Sequence, residues 1–204
     1  MNMKKTFTIS EKYNSFLWLP PKTASSTLSW ILAFFDFSHF TEIDGNLKFF
    51  KDNLIHFGHE THFPPNYEKM SFILSTANPY DRVFSLFKMG HTERQEKITK
   101  EDFNTFLEKQ VFTNRNINWI ISENLGNINP TYIIKKENLY GDLLKIPFIS
   151  ESNLNQCGIL KEMCNKKINS SFETKYRDEL LDNQNKNLIF DFFKKDFDYF
   201  EYSK

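Results

Sequence analysis

The sequence predicts an α/β fold, three layers in which a central, mostly parallel sheet is flanked by helices. Short apolar runs at residues 16–19, 72–74 and 132–134 have the length of buried strands rather than helices. Helix-compatible segments lie between them, and strands alternating with helices in one chain call for parallel pairing with helical crossovers. No repeat, low-complexity tract or Pro/Gly/Ser-rich linker interrupts the 204 residues, so residues 1–204 are expected to form a single domain.

The first strand, Phe16-Leu17-Trp18-Leu19, stops at Pro20-Pro21, because proline has no N–H for a sheet ladder. From Ser25 to Phe35 hydroxyl residues lead and apolar residues follow, which reads as helix. Residues 38–69 are mixed, with Gly45, Gly58 and Pro64-Pro65 marking turns. After the second strand, Phe72-Ile73-Leu74, the helix-start signals are strong. Asn78 can cap, Pro79 suits the first helical position, and Asp81 stands where the helix dipole favours an acid. Residues 101–122 hold one or two helices, Tyr132-Ile133-Ile134 is the third strand, and residues 150–171 read as loop-rich. Leu180, Leu181, Leu188, Ile189, Phe192, Phe193 and Phe197 recur near helical spacing, making Arg177 to Phe200 a last helix.

Charge and composition narrow the function. Lys+Arg and Asp+Glu both number 26, so the broad basic face of a nucleic-acid binder is absent and any anion site must be local. The longest apolar stretch, around Ser29 to Phe37, is broken by Asp36 and falls short of the ~20 residues of a membrane span. Polar Thr8, Ser10, Glu11 and Lys12 stand where a signal peptide would be apolar. Cys157 and Cys164 fit neither a redox pair nor a zinc knuckle; buried free thiols are the simpler reading and a disulfide the other. A soluble, cytoplasmic protein is expected.

Residues 19–28, Leu-Pro-Pro-Lys-Thr-Ala-Ser-Ser-Thr-Leu, join the first strand to the first helix. Ligands of α/β sheets bind at that edge, outside the carboxyl ends of the strands. Free amides at a helix N-terminus attract anions, Ser25, Ser26 and Thr27 add hydroxyl donors, and Lys22 adds a full charge. A hydroxyl-rich cap after a proline turn is the plainer alternative. The glycines and Gly-Lys-Ser/Thr order of a Walker A loop are missing. The second element, residues 78–85, follows the second strand; Asn78 and Ser85 are about two helical turns apart and share a face, so Ser85 can serve a second phosphate. Its plainer alternative is a capped helix with Arg82 in a surface ion pair.

Together, Pro21-Lys22-Thr23-Ala24-Ser25-Ser26-Thr27 and Asn78-Pro79-Tyr80-Asp81-Arg82-Val83-Phe84-Ser85 resemble the two cofactor motifs of sulfotransferases, in the branch of carbohydrate and bacterial enzymes. Lys136-Glu137-Asn138-Leu139 and the tail from Lys195 to Tyr202 extend the resemblance in the family's order. It implies a P-loop-like fold that uses 3′-phosphoadenosine 5′-phosphosulfate (PAPS) and needs no metal. Lys22 and the amides and hydroxyls of Thr23, Ala24, Ser25, Ser26 and Thr27 would hold the 5′-phosphosulfate, with Asn78 at the second motif and Ser85 on the 3′-phosphate. Lys22 would also stabilise the leaving group, in a transfer that needs in-line positioning and charge stabilisation. The family usually carries Arg before the Asn-Pro pair to grip the 3′-phosphate, and this chain has Ala77. Arg82 is the nearest replacement, and Lys166, Lys167, Lys175 and Arg177 form a basic stretch where the family often closes a loop over the nucleotide.

Transfer to a hydroxyl requires a base, and histidine titrates in the right range. His56, His59 and His62 cluster ahead of the second strand; His59 fits the family's Gly-His and His-x-Thr elements, with His62 next, His56 third and Glu60 as an orienting partner. A zinc site at this three-residue spacing is disfavoured, since such positions fan across about 120° of a helix. Trp30 and Trp119 could stack on a sugar, and the branch resembled favours a saccharide acceptor; a peptide tyrosine, a lipid-linked saccharide or a small alcohol are the alternatives. Rival readings are a nucleotide-binding relative without turnover and a P-loop nucleotide or adenylylsulfate kinase.

Overall fold

The computed structural model describes residues 5–43, 46–50, 63–91, 99–112, 120–166 and 177–204. Within the expected single domain, packing separates two compact units, one of residues 1–76 with 127–169 and one of residues 77–126 with 170–204. Each unit is discontinuous in sequence, which is why no linker-like stretch marks a boundary.

The first unit carries one six-stranded sheet: β1 (Lys5–Ser10), β2 (Ser15–Trp18), β3 (Ser38–Ile43), β4 (Asn46–Phe50), β5 (Ser71–Thr76) and β6 (Tyr132–Lys135), in the order β4-β3-β1-β2-β5-β6. The three runs legible in the sequence are β2, β5 and β6, and they pair in parallel, Leu17 opposite Ile73 and Ile73 opposite Tyr132. The rest differs from the expectation: β1, β3 and β4 extend the sheet with antiparallel pairing. The cause is local. β1 and β2 are joined by a turn at residues 11–14 with Asn14 at φ 45°, too short for a crossover.

Strand alternation sends Leu17, Ile73 and Ile134 to one face. There they pack with Leu28, Ile31 and Leu32 of α1 (Ser25–Leu32), Leu143 of α5 (Leu139–Leu143), Ile149 of α6 (Pro147–Ser150) and Leu160 of α8 (Ile159–Asn165). On the other face Phe16 lies flat on Phe72, ring centroids 4.6 Å apart at 7°, and Phe63 meets both edge-on. Buried Asp142 closes the turn after β6: its Oδ2 accepts from the Lys135 amide at 2.8 Å, and its Oδ1 from Asn138 Nδ2 at 3.0 Å and Lys145 Nζ at 2.7 Å. A Cβ at Gly141, within α5, would lie 2.6 Å from Asn138 Oδ1, so the Asn138 side chain would have to move from its place beside Asp142. Residues 150–171, read as loop-rich, include α7 (Asn153–Gln156) and α8. Cys157 is exposed and Cys164 half-buried, both free, and burial pushes the Cys164 thiol up to about 11. The expectation of two buried thiols therefore fails at Cys157.

The second unit is helical among its described residues: α2 (Pro79–His91), α3 (Lys100–Phe106) continued by a π-helical segment (Leu107–Phe112), α4 (Ile121–Leu125), α9 (Arg177–Leu180), α10 (Asn183–Phe192) and α11 (Lys194–Tyr199). Val83, Phe87, Phe103, Leu107, Ile189 and Phe197 belong to its core. The last segment, expected as one helix, is three, and Asp182, accepting from the Asn185 amide at 2.9 Å, starts the second of them. Among the described residues no helix is long and apolar enough to cross a membrane.

The Phe16–Phe72 stack should be measurable apart from burial. A double-mutant cycle with both residues changed to Leu, read by denaturant unfolding, is expected to give a coupling of about 0.5–1.5 kcal/mol. Strict additivity would show that the stack contributes nothing beyond area.

Candidate functional site

The loop after β2 lies at the sheet edge where the parallel strands β2 and β5 end. Lys22 and Ala24 both have left-handed backbones, φ 68° and 63°. Neither is glycine, and each such residue costs roughly 1–2 kcal/mol. Between them Thr23 is fully buried. Its Oγ1 bonds the Pro20 carbonyl at 2.6 Å and meets the hydroxyl of Ser75, on β5. This corrects one expectation: the Thr23 side chain is turned into the protein, and its hydroxyl is engaged there rather than offered to an anion.

α1 begins immediately afterwards. Ala24, its N-cap, offers no capping side chain, and no acid stands in the first turn. The leading amides and the positive end of the helix dipole are thus answered neither by a capping side chain nor by a first-turn carboxylate. Ser25 and Thr27 are largely buried, whereas Lys22, Ala24 and Ser26 are half-buried. Trp18, the last residue of β2, is buried, and among the described residues its indole N–H has no hydrogen-bond partner. Nothing in the sequence flags that orphan donor, since a Trp at a strand end normally reads as core.

α2 is built the opposite way. Asn78 Oδ1 accepts from the Tyr80 amide at 3.0 Å, Pro79 opens the helix, and Asp81 occupies its first turn, as the sequence indicates. Asn78, Asp81 and Ser85 fall within about 60° of one another around the helix. Arg177 Nε and Nη2 donate to Asp81 Oδ1 at 3.0 and 2.5 Å, which brings a second cation to that face. Its guanidinium and Asp81 are each about one-third exposed.

Arg82 does not serve as expected. Its side chain is 3% exposed, and Nη1 lies 3.6 Å from Asp196 Oδ2. Asp196 also accepts from the Ile121 amide at 3.0 Å and from the Ser122 amide and hydroxyl at 2.7 and 2.6 Å. Burial pulls Arg82 down to about 10 against the pull of Asp196. Burial likewise pushes Asp196 up, opposed by Arg82 and the donors on Ser122 and Ile121. A guanidinium held this way is committed to the interior, so the surface ion pair and the phosphate grip both give way to a buried one. Asp196, a minor member of the tail motif in the sequence, ties α2, α4 and α11 together.

His56, His59, His62, Glu60, Lys167, Lys175 and Trp119 lie outside the described residues. Among those described, no group of three or more His, Cys, Asp or Glu is placed to hold a metal ion. Trp30 is 36% exposed on α1, beside exposed Phe34, with Lys166 Nζ 5.6 Å from its ring centroid. The indole that could stack on a sugar is thus already covered in part by a cation.

Two substitutions check these assignments in thermal and denaturant unfolding. Ala24→Gly should raise stability by up to ~1 kcal/mol, the relieved strain exceeding the added freedom of the unfolded chain. Asp196→Asn should lower it by about 1–3 kcal/mol, since an amide turns an NH2 towards donors that now meet carboxylate oxygens. Comparison with protein-family models, curated proteins and solved structures finds no match for the chain.

Proposed function

We propose that this chain is a sulfotransferase of P-loop-like fold that moves the sulfuryl group of PAPS to a hydroxyl, on a saccharide. The observation that carries the reading is the start of α1: uncapped, free of acids in its first turn, and preceded by Lys22 in a left-handed loop at the carboxyl edge of parallel strands. Those features suit an anion held by backbone amides. The four ordered motifs that resemble sulfotransferases name the anion as a phosphosulfate.

In this reading the amides of Ala24 to Thr27 and the hydroxyl of Ser26 hold the 5′-phosphosulfate, the Thr23 amide being directed to the Pro20 carbonyl. Lys22 donates to the bridging oxygen as charge builds on the departing phosphate. Sulfuryl transfer proceeds in line: the acceptor oxygen bonds to sulfur as the bond from sulfur to the bridging oxygen breaks. His59 removes the acceptor proton. Asn78 and Ser85 belong to the half of the site that takes the 3′-phosphate. Arg177, which Asp81 holds on their face of α2, supplies the cation that Ala77 lacks. Lys167 joins the closing segment.

Ala77 and the commitment of Arg82 to Asp196 favour a second reading, a relative that binds the nucleotide without turning it over. Calorimetry with adenosine 3′,5′-bisphosphate and labelled transfer from PAPS to a glycan panel separate the two. Nucleotide binding with transfer supports the enzyme, binding alone supports the second reading, and no binding at millimolar nucleotide removes both. His59→Ala should abolish transfer and keep nucleotide binding, whereas Lys22→Ala should impair both, each by more than tenfold. Near-normal turnover in either variant would remove that residue from the mechanism.

A further inference from the structure

Thr23 sits at the centre of the anion loop, yet its side chain faces the sheet. Oγ1 contacts two oxygens, the Pro20 carbonyl at 2.6 Å and the Ser75 hydroxyl. A hydroxyl has one proton to give, and a carbonyl can only accept. The Thr23 proton therefore goes to Pro20, and Ser75 must donate to Thr23. The order of donation is fixed: Ser75 to Thr23 to Pro20. Thr23 and Ser75 are both fully buried, so no water competes for these bonds. The Thr23 amide points the same way, 3.4 Å from the Pro20 oxygen.

This chain of hydroxyls joins three places that the proposed function needs in register. Pro20 starts the loop, Thr23 lies between the two left-handed residues Lys22 and Ala24, and Ser75 is on β5, next to its last residue. Two non-glycine residues held left-handed relax unless something opposes them, and buried hydrogen bonds at the residue between them do so. We infer that Ser75 and Thr23 form a buried hydroxyl latch that positions the anion loop, with Ser75 a positioning residue that never touches the ligand. The inference rests on the nucleotide reading and deepens it, because the latch governs the grip on the 5′-phosphate and leaves the 3′-phosphate contacts alone.

That selectivity makes the inference testable. Calorimetry would compare adenosine 5′-phosphate with adenosine 3′,5′-bisphosphate on the wild type, Ser75→Ala, Thr23→Val and Thr23→Ser, at a temperature where each is fully folded by circular dichroism. Removing one neutral hydrogen bond is expected to weaken both ligands by the same factor, about three- to tenfold. Thr23→Val should exceed Ser75→Ala, since it strands the buried Ser75 donor, and Thr23→Ser should restore affinity. Hydrogen exchange at the amides of residues 22–27 should quicken in the two disruptive variants, including any too unstable for calorimetry. A lower melting temperature with unchanged affinity for both ligands, or a loss confined to the bisphosphate, overturns the latch and leaves the nucleotide reading standing. A wild type that binds neither nucleotide overturns the reading and the latch with it.

Discussion

Because Leu17 pairs with Ile73 and Trp18 with Leu74 in parallel, β2 and β5 end at the same edge of the sheet. Parallel pairing is the constraint behind the other features of this edge. It puts the loop after Trp18 within reach of Ser75, so one buried hydroxyl on β5 can hold Thr23 in place. It also aligns Phe16 with Phe72 on one face and Leu17 with Ile73 on the other, so the same register seats an aromatic stack and an aliphatic core. A one-residue slip would exchange those faces and carry Ser75 away from the Thr23 side of the sheet.

The two helix starts that follow these strands solve the same problem differently. A helix leaves its first amides unsatisfied, and they need a side chain, an acid nearby or a ligand. α2 uses the first two, with Asn78 as cap and Asp81 in the first turn. α1 uses neither, and the residue at its cap position is an alanine in a left-handed conformation. Left-handed strain and a helix start without a side-chain cap oppose stability, and proteins keep such combinations where another requirement sets the geometry. In the proposed reading that requirement is an anion, which would answer the amides and meet Lys22.

What could be seen in advance follows from how local each signal is. β2 and β5 were legible because strands buried on both faces are continuous apolar runs, β6 because Tyr132-Ile133-Ile134 is a short apolar run, and Asn78-Pro79-Tyr80-Asp81 because a helix cap is a four-residue matter. β1 was hidden because Lys5-Thr6-Phe7-Thr8-Ile9-Ser10 alternates, and Thr8 and Ser10 are buried polar residues that look solvent-facing in sequence. β3 and β4 were hidden by the mixed character of residues 38–50. At the candidate site the sequence located the loop and the α2 start but not the direction of side chains. Thr23 and Ser25 look equivalent as hydroxyls, and only the fold shows Thr23 turned to Ser75. Asp182 is an ordinary charge in a helical pattern until its bond to the Asn185 amide splits the last helix.

The fate of the two arginines shows why charge alone does not tell which cation faces outward on α2. Arg82 is the cation nearest Ala77 in sequence, and its place around the helix does not exclude it from that face; its side chain turns into the core of its unit, 3% exposed. There it meets Asp196, and a buried carboxylate with three other donors around it is a partner it cannot leave without stranding a charge. Arg177 is 95 residues beyond Arg82 in the chain, yet it meets Asp81 on α2. Asp81 takes two of its donors through a single oxygen, and among the described residues Nη1 has the highly exposed Asp178 3.6 Å away. An arginine braced by a carboxylate on one side and open to water on the other can accept a phosphate without leaving its brace. In the proposed reading, the cation that Ala77 does not supply would come from the far end of the sequence, through a contact that no local motif records.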